Sequence, residues 1–352
     1  MENPLAGGAE RTIYEIGRRA VKAGHEVDLL TSSWPGASRH QVIEGIRIHR
    51  YGSKFLPHLI LPAYLKRHND ADLVIDDLAH AAPWFSPWMT QIPGLAHFAH
   101  LHRRTISMEV GRVLSSVMIR LERMYPLLYS DWPFVTYSQS SKMDLVSLGI
   151  DERKIAVINP GVDTETFYPS KKSSTPELVY FAGMKKYKRP EHVLLMFSKL
   201  RETEKDTHLT MIGSGEMVPY LKKFAQNLNL NGHVTFVEKL NHGQLSKIVA
   251  KAWVNIHCSI SEGWGMTITE AASSGVPTAA YRVPGVEESI INGRTGILVK
   301  NNDYSLLSDA VQVLMRKNKE FSLQCRASAE IHSWESTASR WLSLINQVSD
   351  SA

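Results

Sequence analysis

Glu262-Gly-Trp-Gly-Met-Thr-Ile-Thr-Glu270 is the stretch on which the reading of this chain turns, because a strand-like run precedes it and a Gly-Val-Pro stop follows. The run before it is Trp253-Val-Asn-Ile-His257, and the loop is Cys258-Ser-Ile-Ser-Glu-Gly-Trp-Gly265. The helical segment is Met266-Thr-Ile-Thr-Glu-Ala-Ala-Ser-Ser274, closed by Gly275-Val-Pro277. Glycines beside a helix start permit close backbone approach, and the first N–H groups of the helix have no partner within it. Such a terminus favours an anion, so the segment reads as a phosphate cradle. Glu270 falls about one turn inside the helix and Glu262 in the loop, which lets both carboxylates face the crevice at the strand ends. One suits a ribose diol and the other a sugar. A bare pair of glutamates could equally be a solvated loop acid and a helix-dipole partner; the glycines, the strand and the stop favour binding.

Similar alternations fill the chain. Glu26–Thr31, Asp72–Asp76, Leu95–Ala99 and Phe134–Tyr137 are apolar, strand-like runs in the first half. Leu178–Phe181, His208–Ile212, Val234–Val237, Val254–His257 and Thr278–Tyr281 follow in the second. Helical patterns between them argue for parallel sheets covered on both faces, in two doubly wound α/β domains. The first series ends near Asn159-Pro-Gly-Val-Asp163, and the Ser/Lys-rich stretch Ser170–Pro176 is read as the linker. Domains are expected over 1–165 and 166–330, with a closing helical segment over 331–352. The chain opens on Met1-Glu-Asn-Pro-Leu-Ala-Gly-Gly-Ala-Glu10, a loop running into a helix, where such a domain ordinarily opens with a buried strand. Either that strand has been lost to truncation or a late start codon, or the sheet is built without it.

With 43% hydrophobic and 21% charged residues in 352, the chain has the composition of an ordinary globular protein and the bulk for two domains. Its two cysteines, Cys258 and Cys325, form no CxxC or Cys/His cluster, so neither a disulfide framework nor a zinc site is expected, and a reducing cytoplasm is the default. No apolar run approaches the roughly 20 residues that span a bilayer, and no signal-peptide pattern opens the chain. A formal net charge of +5 favours anionic partners.

Glu262-Gly-Trp-Gly-Met-Thr-Ile-Thr-Glu-Ala-Ala-Ser-Ser-Gly-Val-Pro277 resembles the E-x7-E signature of retaining glycosyltransferase family 4, of the GT-B fold. Other segments resemble that family in order: Ala6-Gly-Gly-Ala-Glu-Arg11, Ala23-Gly-His-Glu-Val27, Val135-Thr-Tyr-Ser138, Ile158–Asp163, Ile212-Gly-Ser-Gly215, Pro284-Gly-Val-Glu-Glu288 and Asn292-Gly-Arg-Thr-Gly296. The resemblance implies two Rossmann-like domains facing across a cleft, with an acceptor on the N-terminal side and a nucleotide-diphosphate sugar on the C-terminal side. The closing helix would cross back to the first domain. Glu270 would hold the ribose and Glu262 the donor sugar, with Gly263, Trp264, Gly265, Met266 and Thr267 around them. Gly7, Gly8, Gly183 and Gly213 would line the donor.

The resemblance also implies a cation for the diphosphate without a metal or other cofactor. The matching stretch is Phe181-Ala-Gly-Met-Lys-Lys-Tyr-Lys-Arg-Pro190, with Lys188 as the phosphate lysine. Met184 stands where the family has an arginine, so Lys185 or Lys186 would replace it. In the first domain, Pro93–Arg104 is an apolar strand running into a His/Arg cluster. The family places a histidine at this strand end; His100 fits first and His102 second, while His97 reads as core. Arg103 and Arg104 would meet an acceptor phosphate or stay solvated. Asp76-Asp77 is not a D-x-D and reads as a strand-end pair.

Two apolar-basic stretches, Phe55–Arg67 and a helix expected over Ile106–Tyr125 with Arg112, Arg120 and Arg123, read each alone as a core helix with an exposed basic edge, or else as a surface for contact with the inner face of an anionic membrane. The expected activity is transfer of a hexose, with retention, to a hydroxyl of a glycan, lipid-linked or small-molecule acceptor, with no nucleic acid involved. The alternatives are a catalytically impaired nucleotide-binding homologue, which the absent strand and Met184 would suit, and a nucleotide-sugar epimerase.

Overall fold

The computed structural model describes residues 7–52, 56–79, 82–238 and 240–350. Ala6 of the opening loop and Phe55 of the first apolar-basic stretch lie outside the described residues. Contacts divide the chain into two units. Unit 1 comprises Met1–His102, Val113–Gly161 and Trp334–Ala352, and unit 2 comprises Arg103–Arg112 and Val162–Ser333. The change of unit thus falls at Gly161 and Val162 rather than in the Ser170–Pro176 stretch, where Ser173 is instead bonded into unit 2 through the Lys251 carbonyl.

Along the chain, unit 1 begins with α1 (Gly8–Lys22), β1 (Asp28–Thr31), β2 (His40–Ile43), β3 (Ile46–Arg50), α2 (Leu56–Arg67), β4 (Val74–Asp77) and β5 (Gly94–Phe98). The short helix α3 (Ile106–Glu109), which belongs to unit 2, comes next in the chain, and unit 1 resumes with α4 (Arg112–Glu122), α5 (Tyr125–Leu128), β6 (Phe134–Thr136), α6 (Gln139–Leu148) and β7 (Ile155–Val157). The single helix expected over Ile106–Tyr125 is therefore three pieces. Extended backbone at Val110 (φ −132°, ψ 161°) ends α3, and Gly111, the poorest former after proline, follows it.

The strands of unit 1 form two separate sheets. One is parallel throughout, in the order β4-β5-β6-β7; the other, β1-β3-β2, pairs β1 with β3 in parallel and β2 with β3 as a hairpin. The hairpin turns at Glu44 and Gly45, both with positive φ (49° and 85°), the geometry that suits strand twist but that few residues other than glycine and asparagine adopt. Ala96, Phe98 and Phe134 pack against Tyr125, Leu128 and Leu145 on one face of the larger sheet. Val135 packs on the other face with Ile16 of α1 and with Ala338 and Trp341 of the last helix, Trp334–Asp350.

Unit 2 carries β8 (Glu177–Phe181), α7 (Pro190–Leu200), β9 (His208–Ile212), α8 (Val218–Asn227), β10 (Val234–Val237), α9 (His242–Lys251), β11 (Val254–His257), α10 (Met266–Ser273), β12 (Thr278–Tyr281), α11 (Val286–Ser289), β13 (Gly296–Val299), α12 (Tyr304–Arg316) and α13 (Asn318–Ile331). Its six parallel strands run β10-β9-β8-β11-β12-β13, the doubly wound dinucleotide-fold order. Leu178 and Tyr180 face a core with α7, α8 and α12, while Val179 and Phe181 face one with α9 and α10. That alternation along a wholly apolar strand is what a sheet covered on both sides requires. The strand order reverses between β8 and β11, so ligands are expected outside the carboxyl ends of those two strands.

Candidate functional site

The β8 loop reaches that point as Gly183–Lys188. Gly183 is exposed, and a Cβ added to it would meet only the Lys185 side chain. Met184 does not occupy the place of an arginine head group; its side chain is buried in the core against β8 and α7. Its backbone donates to the Ser214 carbonyl (2.9 Å) and accepts from the Met217 N–H (3.1 Å). Gly213 and Gly215, at φ 145° and 153°, lie so close that a Cβ on either would collide with the carbonyl oxygens of Ala182 and Met184. Gly213, expected to line the donor, has here the work of letting two loops interlock. Lys185 pairs with Glu109 (3.1 Å), Lys186 is exposed, and Lys188 points to the β11 loop.

There Lys188 forms an ion pair with Glu262. The same Glu262 oxygen, Oε1, accepts from Ser259 Oγ (2.6 Å) and from His257 Nε2 (3.1 Å). Burial opposes the charge on Glu262, but Lys188 and the bond from His257 prevail and hold its carboxyl well below the usual carboxylate range. Burial likewise opposes the Lys188 charge, and Glu262 raises it above the usual lysine range. Both are ionised at neutral pH. Among the described residues Oε2 of Glu262 has no hydrogen-bond partner, so one edge of the carboxylate is saturated and the other can accept.

Backbone contacts fix this loop. The Glu262 N–H donates to the Pro284 carbonyl (3.1 Å), and Gly285, at φ 78°, lies against the Glu262 carbonyl with no room for a Cβ. Arg189, itself left-handed (φ 48°), donates to the carbonyls of Cys258 (2.8 Å) and Ser259 (3.0 Å) and to Asn301 Oδ1 (2.7 Å). Gly265 caps α10 at φ 88°, and Met266 and Thr267, half-buried, open that helix. Glu270 is 5% exposed within its second turn, and Gly263 is buried in the loop against Gly285. Trp264, expected near the donor, is instead 4% exposed, with its ring edge-on to His332 at 5.3 Å.

In unit 1, His100 stacks on His102 (5.1 Å between centroids) beyond the end of β5. His102 Nε2 lies 2.7 Å from the Ala79 carbonyl, and its N–H donates to Glu122 Oε1 (2.7 Å). Arg103 is half-buried and Arg104 exposed; both fall in unit 2. His97 is fully buried, with Nδ1 2.9 Å from Asp77 and Tyr137 and Trp341 around it. Asp76 accepts from Ser86 (2.6 Å) and Tyr129 (2.8 Å), and burial pushes its carboxyl up to about 7. Gly7 and Gly8 open α1, where the Gly7 N–H donates to Glu10 (2.9 Å).

The structure thus brings Lys188 and Glu262 together and adds three residues that the sequence reading passed over: His257, Ser259 and Arg189. His257 reads as the end of a strand and Arg189 as one basic residue among four, so neither has a local signature. Among the described residues no three His, Cys, Asp or Glu side chains come together as a metal-ligand set.

Two family models match adjoining parts of the chain: "Glycosyl transferases group 1" over residues 163–331 and "Glycosyltransferase Family 4" over 6–166. Glycogen synthase of Mycobacterium tuberculosis is 22% identical over 93% of this chain and 86% of its own. D-inositol 3-phosphate glycosyltransferase 2 of Catenulispora acidiphila is 25% identical over 95% and 88%. Among solved structures, sucrose-phosphate synthase from Thermosynechococcus elongatus superposes with a TM-score of 0.84 at 18% identity, covering 99% of this chain and 95% of that one. Anabaena HepE in complex with UDP-glucose gives 0.77 at 14%, covering 99% and 98%. With the strand order of unit 2, these matches identify the chain as a glycosyltransferase of the GT-B fold.

Proposed function

We propose that this enzyme is a retaining family 4 transferase that moves a hexose from a nucleotide-diphosphate sugar to an acceptor hydroxyl without a metal. The observation that carries the reading is the Glu262 carboxylate, ionised and held on one edge by Lys188, His257 and Ser259 with its other edge open. An ionised carboxylate accepts from sugar hydroxyls and cannot serve as the general acid. Lys188 would turn to the diphosphate as the donor enters, helped by the open approach over Gly183 and the first N–H groups of α10. Glu270 would take the ribose. The bond from the anomeric carbon to phosphate oxygen breaks as the acceptor oxygen bonds the same face, and the departing phosphate takes the acceptor proton. Stabilising that phosphate is then the main task of the cation. A complex of Anabaena HepE with UDP-glucose supports the choice of a nucleotide hexose.

The test is transfer measured over a panel of nucleotide hexoses, with the product anomer read by proton NMR. Glu262→Gln and Lys188→Met are expected to lower kcat by about a hundredfold or more, the loss typical of one preorganised electrostatic group. His100→Ala should lower kcat by about tenfold to a hundredfold if His100 positions the sugar in the transition state. Full activity in both His100→Ala and Glu262→Ala, or an inverted product, would sink the assignment.

A peripheral contact with an anionic membrane rests on α4. Its buried positions are Ser115, Met118 and Glu122, while Val113, Leu114 and Val117 are exposed on the outward face. Apolar residues pointing outward beside Arg120 and Arg123 form a stripe with a basic edge, the arrangement that settles at a charged interface. Among the described residues no helix is long and apolar enough to cross a membrane.

A further inference from the structure

An open cavity of about 370 Å³ lies in unit 1 at the carboxyl ends of β1 and β3. Its volume falls within the range of small-molecule sites, about 300–1,000 Å³. Three backbone bonds build it from the segments that leave the two strands: Tyr51 N–H to the Thr31 carbonyl (3.0 Å), Ser33 N–H to the Gly52 carbonyl (2.8 Å) and Arg50 N–H to the Arg39 carbonyl (2.8 Å). The last of these sets two arginines side by side on its wall, and among the described residues no carboxylate lines it. Leu56 and Ile60 of α2 form the apolar side.

Arg50 is only 3% exposed and is anchored on one edge. Its Nη1 donates to the Ser38 carbonyl (3.0 Å) and to Gln41 Oε1 (2.9 Å), and its guanidinium lies over the Trp34 ring at 4.7 Å. Among the described residues its buried Nε has no hydrogen-bond partner. A buried unsatisfied donor on a charged group is costly, and the Nε–Nη2 edge is the fork that receives an oxyanion bidentately. Arg39, over the Tyr51 ring at 5.0 Å, supplies a second positive charge. Charge distinguishes this cavity from one between α1 and the last helix, where Arg19 is already paired with Glu15 and Glu335.

We infer that this cavity binds a phosphate monoester carried by the acceptor, with the phosphate on Arg50 and Arg39 and the organic part against Leu56 and Ile60. Two arginines match the two charges of such an ester. The word acceptor rests on the transferase reading above; the binding does not.

Calorimetric titration of the full chain with glucose 6-phosphate and with glucose, in the absence of nucleotide, tests it. The ester is expected to bind and the free sugar to bind at least about tenfold more weakly, and Arg50→Gln should weaken the ester by roughly tenfold or more. Arg39→Gln, at an exposed position that does not threaten folding, should weaken it by a few-fold. Arg50→Lys should fail to restore wild-type affinity, because a point charge cannot replace the fork. Ester and sugar binding alike, or ester binding that Lys188→Gln abolishes while both arginine variants keep it, overturns the inference. Displacement by vesicles containing phosphatidic acid, a lipid-borne phosphate monoester, lost in Arg39→Gln, would mark a lipid-borne phosphate, and displacement by glycerol 3-phosphate alone a free one. No donor is present, so a negative result here leaves the transferase reading standing.

Discussion

Glu262 is held ionised by neighbours rather than by solvent, and that makes its charge depend on each of them. Removing Lys188 leaves a nearly buried carboxylate with two hydrogen bonds and no formal counter-charge. In Lys188→Met its pKa should therefore rise, and activity that needs the anion should fail at a higher pH than in the wild type; an unchanged acid limb of the kcat/KM profile would contradict this. Asp76 behaves in the opposite sense. Its folded pKa, about 7, lies above the value of a free carboxyl, so the folded state binds the extra proton. Its contribution is full below about pH 4 and is lost as pH rises through about 7, a fall on the order of a few kcal/mol over that window. Denaturant midpoints measured from pH 5 to 8 should drop accordingly, and Asp76→Asn should flatten the drop.

Helices and loops carry the next set of expectations. At Gly285 a methyl group would meet the Glu262 carbonyl, and the left-handed backbone adds its own strain. Gly285→Ala should cost at least ~1–2 kcal/mol of stability and lower activity by moving the loop. On α4, Val117→Asp should leave the melting temperature nearly unchanged, because the position is exposed, yet weaken sedimentation with phosphatidylglycerol vesicles. Element by element, the sequence was most readable where a strand is covered on both faces: β9, β11 and β12 lie at the residues that their apolar runs mark. It was least readable where the structure depends on conformations that composition hides. The β2–β3 hairpin turns through a glutamate in the left-handed region, and the strand β13 begins inside a segment read as a turn. The site followed the same division. Lys188, Glu262 and Glu270 stand in a motif, whereas His257 and Arg189 act through a sheet order that no local pattern encodes.

Across the whole molecule, the two units have different carboxyl-end chemistry. Unit 2 offers one lysine and a carboxylate at its switch point; unit 1 offers two arginines at the ends of β1 and β3. Hydrogen exchange should separate them. A nucleoside diphosphate is expected to slow exchange at 183–188 and 258–267, and a sugar phosphate at 33–52. A ligand at about 100 times its dissociation constant adds ~2.7 kcal/mol to the unit that it binds, enough to slow those amides markedly. Protection of both segments by either ligand would contradict two separate sites. The net charge of +5 then belongs to the substrates as much as to any surface, since both proposed ligands are anions.

The Glu262 loop is positioned through its own backbone, which is bonded to Pro284, packed against Gly285 and gripped at two carbonyls by the Arg189 side chain. For anyone altering this enzyme, that divides the neighbourhood into a frame and a lining. Libraries that vary Met266 and Thr267 are expected to keep the frame and, on the donor-site reading proposed above, to sample new donors, while a one-residue insertion between 258 and 265 is expected to break it whatever residue is inserted.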